Sequence, residues 1–245
     1  YQVGGFAGFS YIDGTESAIS AVALSSAHYF QQPGQSYLPP VLGQTSLAGY
    51  TIGLNAEKAG GEHWTGFLET SAESPGFELN DLGRLGSAND IEGNFGINYR
   101  ENTASAHFRR YRVGIFTASG WNFGGVHNYS IFRLNTNATL KNWWNTSLGG
   151  WYRPGGMSDD LTRGGPLMGT GAAGGFNLGL FGNEANATRG GTNLGFSWGE
   201  FGAESQSVGL TLLARPGSRW NFTVAPNWQH SINPRQYVAT RDGGY

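Results

Sequence analysis

Apolar and polar residues alternate with a period of two in segment after segment of this chain. Between Ile91 and Tyr99, one side holds Ile91, Gly93, Phe95, Ile97 and Tyr99, and the other Glu92, Asn94, Gly96, Asn98 and, just beyond, Arg100. Successive side chains of a β-strand point to opposite faces, so the pattern predicts a two-faced strand. The same rhythm runs through Ala48–Ala56, the segment from Trp64 to Glu73, Tyr111–Trp121, Phe132–Lys141, Trp144–Arg153, Phe176–Leu180, Asn193–Trp198, Val208–Arg215 and Trp220–Gln229. Phe67, Trp143 and Trp151 fall on the polar side against the pattern. Weaker strand signals lie near residues 3–12, 18–30 and 235–242. Helical periodicity is hard to find.

Roughly 12 or 13 strands are expected, most of them near the ~9–11 residues that cross a bilayer when tilted. Gly, Pro, Asn and Asp punctuate them, and Lys58–Gly61 reads as a short hairpin turn. Three longer connections lie near residues 31–44, 73–90 and 154–171. Counting strand ends puts the first two on the side opposite the Lys58–Gly61 turn. Trp64, Trp121, Trp144, Tyr152, Trp198, Trp220 and Trp228 sit mostly toward strand ends, as in aromatic girdles at membrane interfaces. The predicted fold is all-β: an antiparallel up-and-down transmembrane β-barrel, or part of one, spanning residues 1–245 as one domain. The competing architecture is a soluble β-sandwich or propeller with the same aromatics in its core.

Composition sharpens this reading. Only 13% of the 245 residues are charged, about half the usual ~25%. Gly contributes 41 residues, roughly 17% against an ordinary ~7%. A wall with one face in lipid and the other in water has this mixture. The formal charge of -2 gives no support for a polyanion, so nucleic acid is not an expected partner. There is no cysteine for disulfides or thiolate metal sites. No apolar run approaches ~18 residues, which excludes a transmembrane helix. Tyr1-Gln2-Val3 lacks a basic start and an apolar h-region, so the chain is expected to be either a mature protein or, the favoured reading, an internal piece of a longer exported one.

Candidate chemistry is thin. Gly169–Gly174 matches G-x-G-x-x-G, but a strand pattern follows where nucleotide binding needs a helix. The carboxylates Glu78 and Asp81, or Asp159 and Asp160, would serve a glycosidase only at suitable separation; turn formation accounts for them more simply. His28, His63, His107, His127 and His230 have no zinc spacing, and there is no G-x-S-x-G elbow. No catalytic, cofactor or metal residue is therefore assigned, and an enzyme is not expected. The polar faces instead collect charges of both signs. Glu69, Glu92, Arg110, Arg112, Arg133 and Arg153 are the candidate lumen-facing residues.

Two loops carry a family resemblance. Ser74-Pro75-Gly76-Phe77-Glu78-Leu79-Asn80-Asp81-Leu82-Gly83 followed by Asp90-Ile91 is one, and Asp159-Asp160-Leu161-Thr162-Arg163-Gly164-Gly165-Pro166-Leu167-Met168 the other. With Gly61-Glu62-His63-Trp64 and Gly120–Gly125, they resemble the barrel region of bacterial proteins grouped as domain of unknown function 5916. The resemblance implies an outer-membrane β-barrel preceded by a carbohydrate-binding family 9-like domain. Its implied partners are outer-membrane lipid and, through that other domain, glycans. It supplies no catalytic residues, but it marks Glu78, Asp81, Asp160 and Arg163 as family-like loop positions. Arg84–Asn89 departs from the family pattern by lacking an aromatic and paired basic residues. The expected role is transport, anchoring or secretion in the bacterial outer membrane, without enzymatic activity. The alternatives are a soluble carbohydrate-binding module and a glycan hydrolase.

Overall fold

The computed structural model describes residues 1–79 and 85–234. Its strands are β1 (Gln2–Asp13), β2 (Ser46–Lys58), β3 (Trp64–Glu73), β4 (Asp90–Glu101), β5 (Phe108–Trp121), β6 (His127–Leu140), β7 (Asn145–Arg153), β8 (Gly156–Ser158), β9 (Met168–Thr170), β10 (Ala173–Phe181), β11 (Thr188–Gly199), β12 (Glu204–Gly217), β13 (Trp220–Val224) and β14 (Asn227–Ile232). Twelve form one antiparallel sheet in the order β1 to β7, then β10 to β13, with β14 also on β12. β8 and β9 make a separate small hairpin inside the β7–β10 connection.

The all-β, antiparallel expectation holds. Closure does not appear: among the described residues β1 lies at one edge, β13 and β14 at the other, and they do not pair with each other. Two local expectations are corrected. The weak strand signal at 18–30 is occupied by helix α1 (Glu16–Ala23) and turns. Thr15 caps the helix by accepting from the Ala18 amide, and Ile19, Val22 and Ala23 recur at helical spacing, a pattern too short to stand out. The Trp220–Gln229 segment is two strands along the same neighbour. Pro226 sits at the break, where it has no amide to donate. The 235–242 signal lies outside the described residues.

Register divides the sheet into two unlike faces. One carries Leu54, Leu68, Phe95, Ile115, Phe132, Leu148, Leu178, Leu194 and Leu210, all exposed. The other is polar and rich in glycine. There, Phe67 lies flat over its cross-strand partner Gly96, where a Cβ would come within 2.4 Å of the ring. That contact explains why an aromatic tolerates the polar side: glycine leaves room for the ring to cover the strand.

The buried apolar core is small and lies mostly in the loops. Ile19, Ala23, Phe30, Leu38 and Leu47 form one cluster, and Ala27, Phe77, Leu85 and Ala88 another. Both join the connections β1–β2 and β3–β4 to the polar face, through Leu47 and the close approach of Phe77 to Gly49. These connections and the β7–β10 connection all lie at one end of the sheet. The connections β2–β3, β4–β5, β6–β7 and β10–β11 lie at the other, with the β2–β3 turn running through residues 59–63.

Candidate functional site

Alternation places Glu69, Glu92, Arg110, Arg112, Arg133 and Arg153 on the polar face, since each pairs with residues of that face on neighbouring strands. On β4 and β5 the charges separate along the strands, Glu92 toward the loop end and Arg110 and Arg112 toward the turn end, whereas Glu69 and Arg133 lie mid-strand and Arg153 ends β7 at the loop end. At the loop end, Glu73 pairs directly with Asp90, and Glu92 is the next residue of that face on β4. The Tyr129 hydroxyl donates to Glu92 at 2.7 Å. At the turn end stand Arg100, Arg110 and Arg112, with Arg100 directly opposite Arg112. Glu92 and Arg100 share one face of one strand about 27 Å apart at ~3.4 Å per residue.

The three arginines border a cleft of about 490 Å³ that Asn137, Thr139 and Asn145 also line. Arg110 donates from Nε to the Thr139 hydroxyl at 3.2 Å, and that hydroxyl donates to Asn145 Oδ1 at 2.8 Å. Arg100 donates to the backbone carbonyls of Gly61 and Glu62. Among the described residues no carboxylate forms an ion pair with Arg100, Arg110 or Arg112. A directly opposed pair of like charges is locally unfavourable, and it leaves the cleft positive.

The long connections fold together over the acidic end as a cap. His28, with its side chain wholly buried, holds Pro75 O at 2.9 Å through Nδ1 and Glu78 Oε2 at 2.9 Å through Nε2. Glu78 also receives the Leu79 amide, while its own amide donates to Ser10 on β1. Asn122, almost fully buried, donates to Asp159 at 3.1 Å, and Asn128 donates to the same carboxylate. Asn89 accepts from the Phe123 amide and donates to Tyr37 Oη at 2.8 Å. Burial pushes the Tyr37 phenol above its usual value. The Asn89 and Gly124 hydrogen bonds oppose that shift, and the Asp159 charge adds to it.

Of the family-like loop positions, Glu78 is therefore a cap contact. Asp160 and Arg163 lie in the β7–β10 connection, where Asp160 accepts from Ser158 through its carboxylate and from the Arg163 amide through its carbonyl. Asp81 lies outside the described residues. Gly169–Gly174 leads into strand β10, as the alternating pattern after it indicates. Sequence reasoning missed His28, Asn122, Asn89 and Tyr37, whose partners lie 34 to 52 residues away with no periodic signal between them.

His28→Ala is expected to destabilise the protein by about 2 kcal/mol, because it removes a buried hydrogen bond to a carboxylate and leaves Glu78 facing a void. Thermal unfolding of the two proteins measures the loss. An unchanged midpoint would show that the cap does not depend on this contact.

The fold and site define a class: a two-faced antiparallel β-wall whose polar side, capped by its own loops, separates acidic and basic groups along β3–β5. The chain belongs to the family described as domain of unknown function (DUF5916), whose model matches residues 13–239. No curated protein and no solved structure matches it.

Proposed function

We propose that this chain forms the wall of a bacterial outer-membrane β-barrel that carries solute along its polar face and has no enzymatic activity of its own. The observation that carries the reading is the exposed apolar face, bounded at both ends by aromatics. Near the turns, Trp64, Tyr99, Tyr111 and Phe108 form a connected cluster with ring centroids 4.9–5.9 Å apart. Near the cap, Trp121 meets His127, and Tyr152 meets Trp198. Tyr111 and Trp121, ten residues apart on β5, are separated by about 34 Å along the strand. A tilt of ~40° reduces this to about 26 Å, close to the ~25 Å apolar band of such barrels.

Surface area supports the same reading. The chain exposes 15363 Å², whereas a compact soluble protein of this mass exposes about 10,600 Å². Part of that excess is the exposed apolar face, which lipid would cover. An open sheet edge is not tolerated in hydrocarbon, so the edges at β1 and β13–β14 are proposed to be paired in the membrane, with each other or with further strands. Eleven strand positions about 4.8 Å apart, with β13 and β14 sharing one along β12, give a wall roughly 53 Å across, between small side-chain-filled barrels and 16-stranded porins. A polar cleft and a loop cap fit a conduit better than a bare anchor.

The test is cell fractionation followed by gel migration with and without boiling. The protein is expected in the outer-membrane fraction, with migration that changes on heating. A freely soluble product with unchanged migration overturns the reading.

A further inference from the structure

The polar face carries two adjacent rows of side chains that folding and the charge pattern account for only in part. Following direct cross-strand partners from β3 to β10, one row reads Phe67, Gly96, Phe116, Arg133, Trp151, Gly175. Phe67 and Phe116 approach across Gly96 with ring centroids 6.2 Å apart, and the Arg133 guanidinium lies 5.8 Å from the Phe116 ring. Arg133 stands directly between Phe116 and Trp151 in the row. Cover for glycine explains Phe67 over Gly96 and Trp151 beside Gly175. It does not explain Phe116, nor an exposed arginine set between two rings.

The second row lies two residues further toward the turn end, about 7 Å away. It reads Asn98, Gly114, Asn135, Gly149, Asn177, Gly195. Amides and glycines alternate without interruption. The glycines leave the space that the amides occupy: a Cβ on Gly114 would meet Asn98 Oδ1 at 2.4 Å, and one on Gly149 would meet Asn177 Oδ1 at 2.2 Å. Among the described residues no hydrogen bond engages the amide groups of Asn98, Asn135 or Asn177. Each amide offers one acceptor and two donor hydrogens.

We infer that these rows form a saccharide-binding belt on the inner wall. Sugar rings present a C–H face that suits the negative face of an aromatic ring. Their hydroxyls match amides that both donate and accept, and Arg133 adds donors for hydroxyl or carboxylate oxygens. From Phe67 to Trp151 the row takes four inter-strand steps, about 19 Å at ~4.8 Å each, which suits a run of several sugar rings. The inference rests on reading this face as the water-filled side of a barrel, and it names glycans as the solute class.

The test uses the full chain refolded in detergent, titrated calorimetrically with maltohexaose, cellohexaose and a galacturonic acid hexamer. Saturable binding of at least one is expected, with a change in tryptophan fluorescence. Arg133→Ala and Asn135→Ala should each weaken it about tenfold while leaving heat-modifiable migration intact. Trp151→Phe should keep the binding but reduce the fluorescence change. A heat-modifiable barrel that binds none of the three, or binds equally well in both alanine variants, overturns the belt and leaves the barrel standing. A soluble chain overturns both.

Discussion

Leu194→Arg is expected to lower the stability of the chain in lipid vesicles by about 2–4 kcal/mol, the cost of arginine near the midplane of a barrel's lipid face. Asn193→Arg, one residue away, is expected to change it little. Leu194 lies near the middle of β11, between Leu178 and Val208 on the apolar face, and is 42% exposed. Asn193 projects to the opposite side, between Gly179 and Gly209. In a water-soluble sheet an exposed leucine replaced by arginine changes stability by about ±0.5 kcal/mol. Urea titration of refolding into vesicles separates the two cases. Equal effects at 193 and 194 would show that the apolar face is not the one in lipid.

That contrast rests on information fully present in the sequence. A period of two fixes which residues share a face, so Leu194 and Asn193 can be assigned without coordinates. For the same reason the separation of Asp90 and Glu92 from Arg100 is readable along β4 alone. Even the violations of pattern carry meaning, since Phe67 and Trp151 break alternation where a glycine faces them across the sheet. The local signal fails in three other places. Helix α1 is too short for its periodicity to compete with the surrounding strands. The break at Pro226 interrupts pairing without interrupting alternation. Contacts between loops, such as His28 with Glu78, depend on how distant segments pack, and nothing in either segment encodes the partner. Closure belongs to the same class, because the faces of β1 and β14 look alike whether their edges are paired or not.

The cap offers the sharpest probe of what those loop contacts do, and Gly49→Ala is expected to release part of it. Gly49 lies on the polar face of β2, and a Cβ there would stand 2.1 Å from the Phe77 amide nitrogen and 2.3 Å from the Gly76 carbonyl carbon. The reciprocal contact is equally close, with a Cβ on Gly76 falling 2.2 Å from the Ala48 carbonyl oxygen. Both encounters are with backbone, so no side-chain rotamer relieves them. The segment would have to leave the wall, giving up the Ser74 amide bond to Tyr50 O and the Glu78 amide bond to Ser10. Phe77 would lose its burial against Ala27 and Ala88. Overpacking costs typically about 1–3 kcal/mol, and backbone contact with loss of a buried phenylalanine places this case near 3 kcal/mol. The strand itself tolerates alanine, so the loss should be confined to the cap. Protease cleavage between residues 74 and 89 should quicken while the sheet remains resistant, and conductance across a planar bilayer should rise. Gly60→Ala, in the turn at the opposite end with no atom within 4 Å of its added Cβ, should do neither. If Gly49→Ala speeds cleavage without raising conductance, the cap does not obstruct the path. If it does both, the loops are the barrier that a solute on the polar wall must displace.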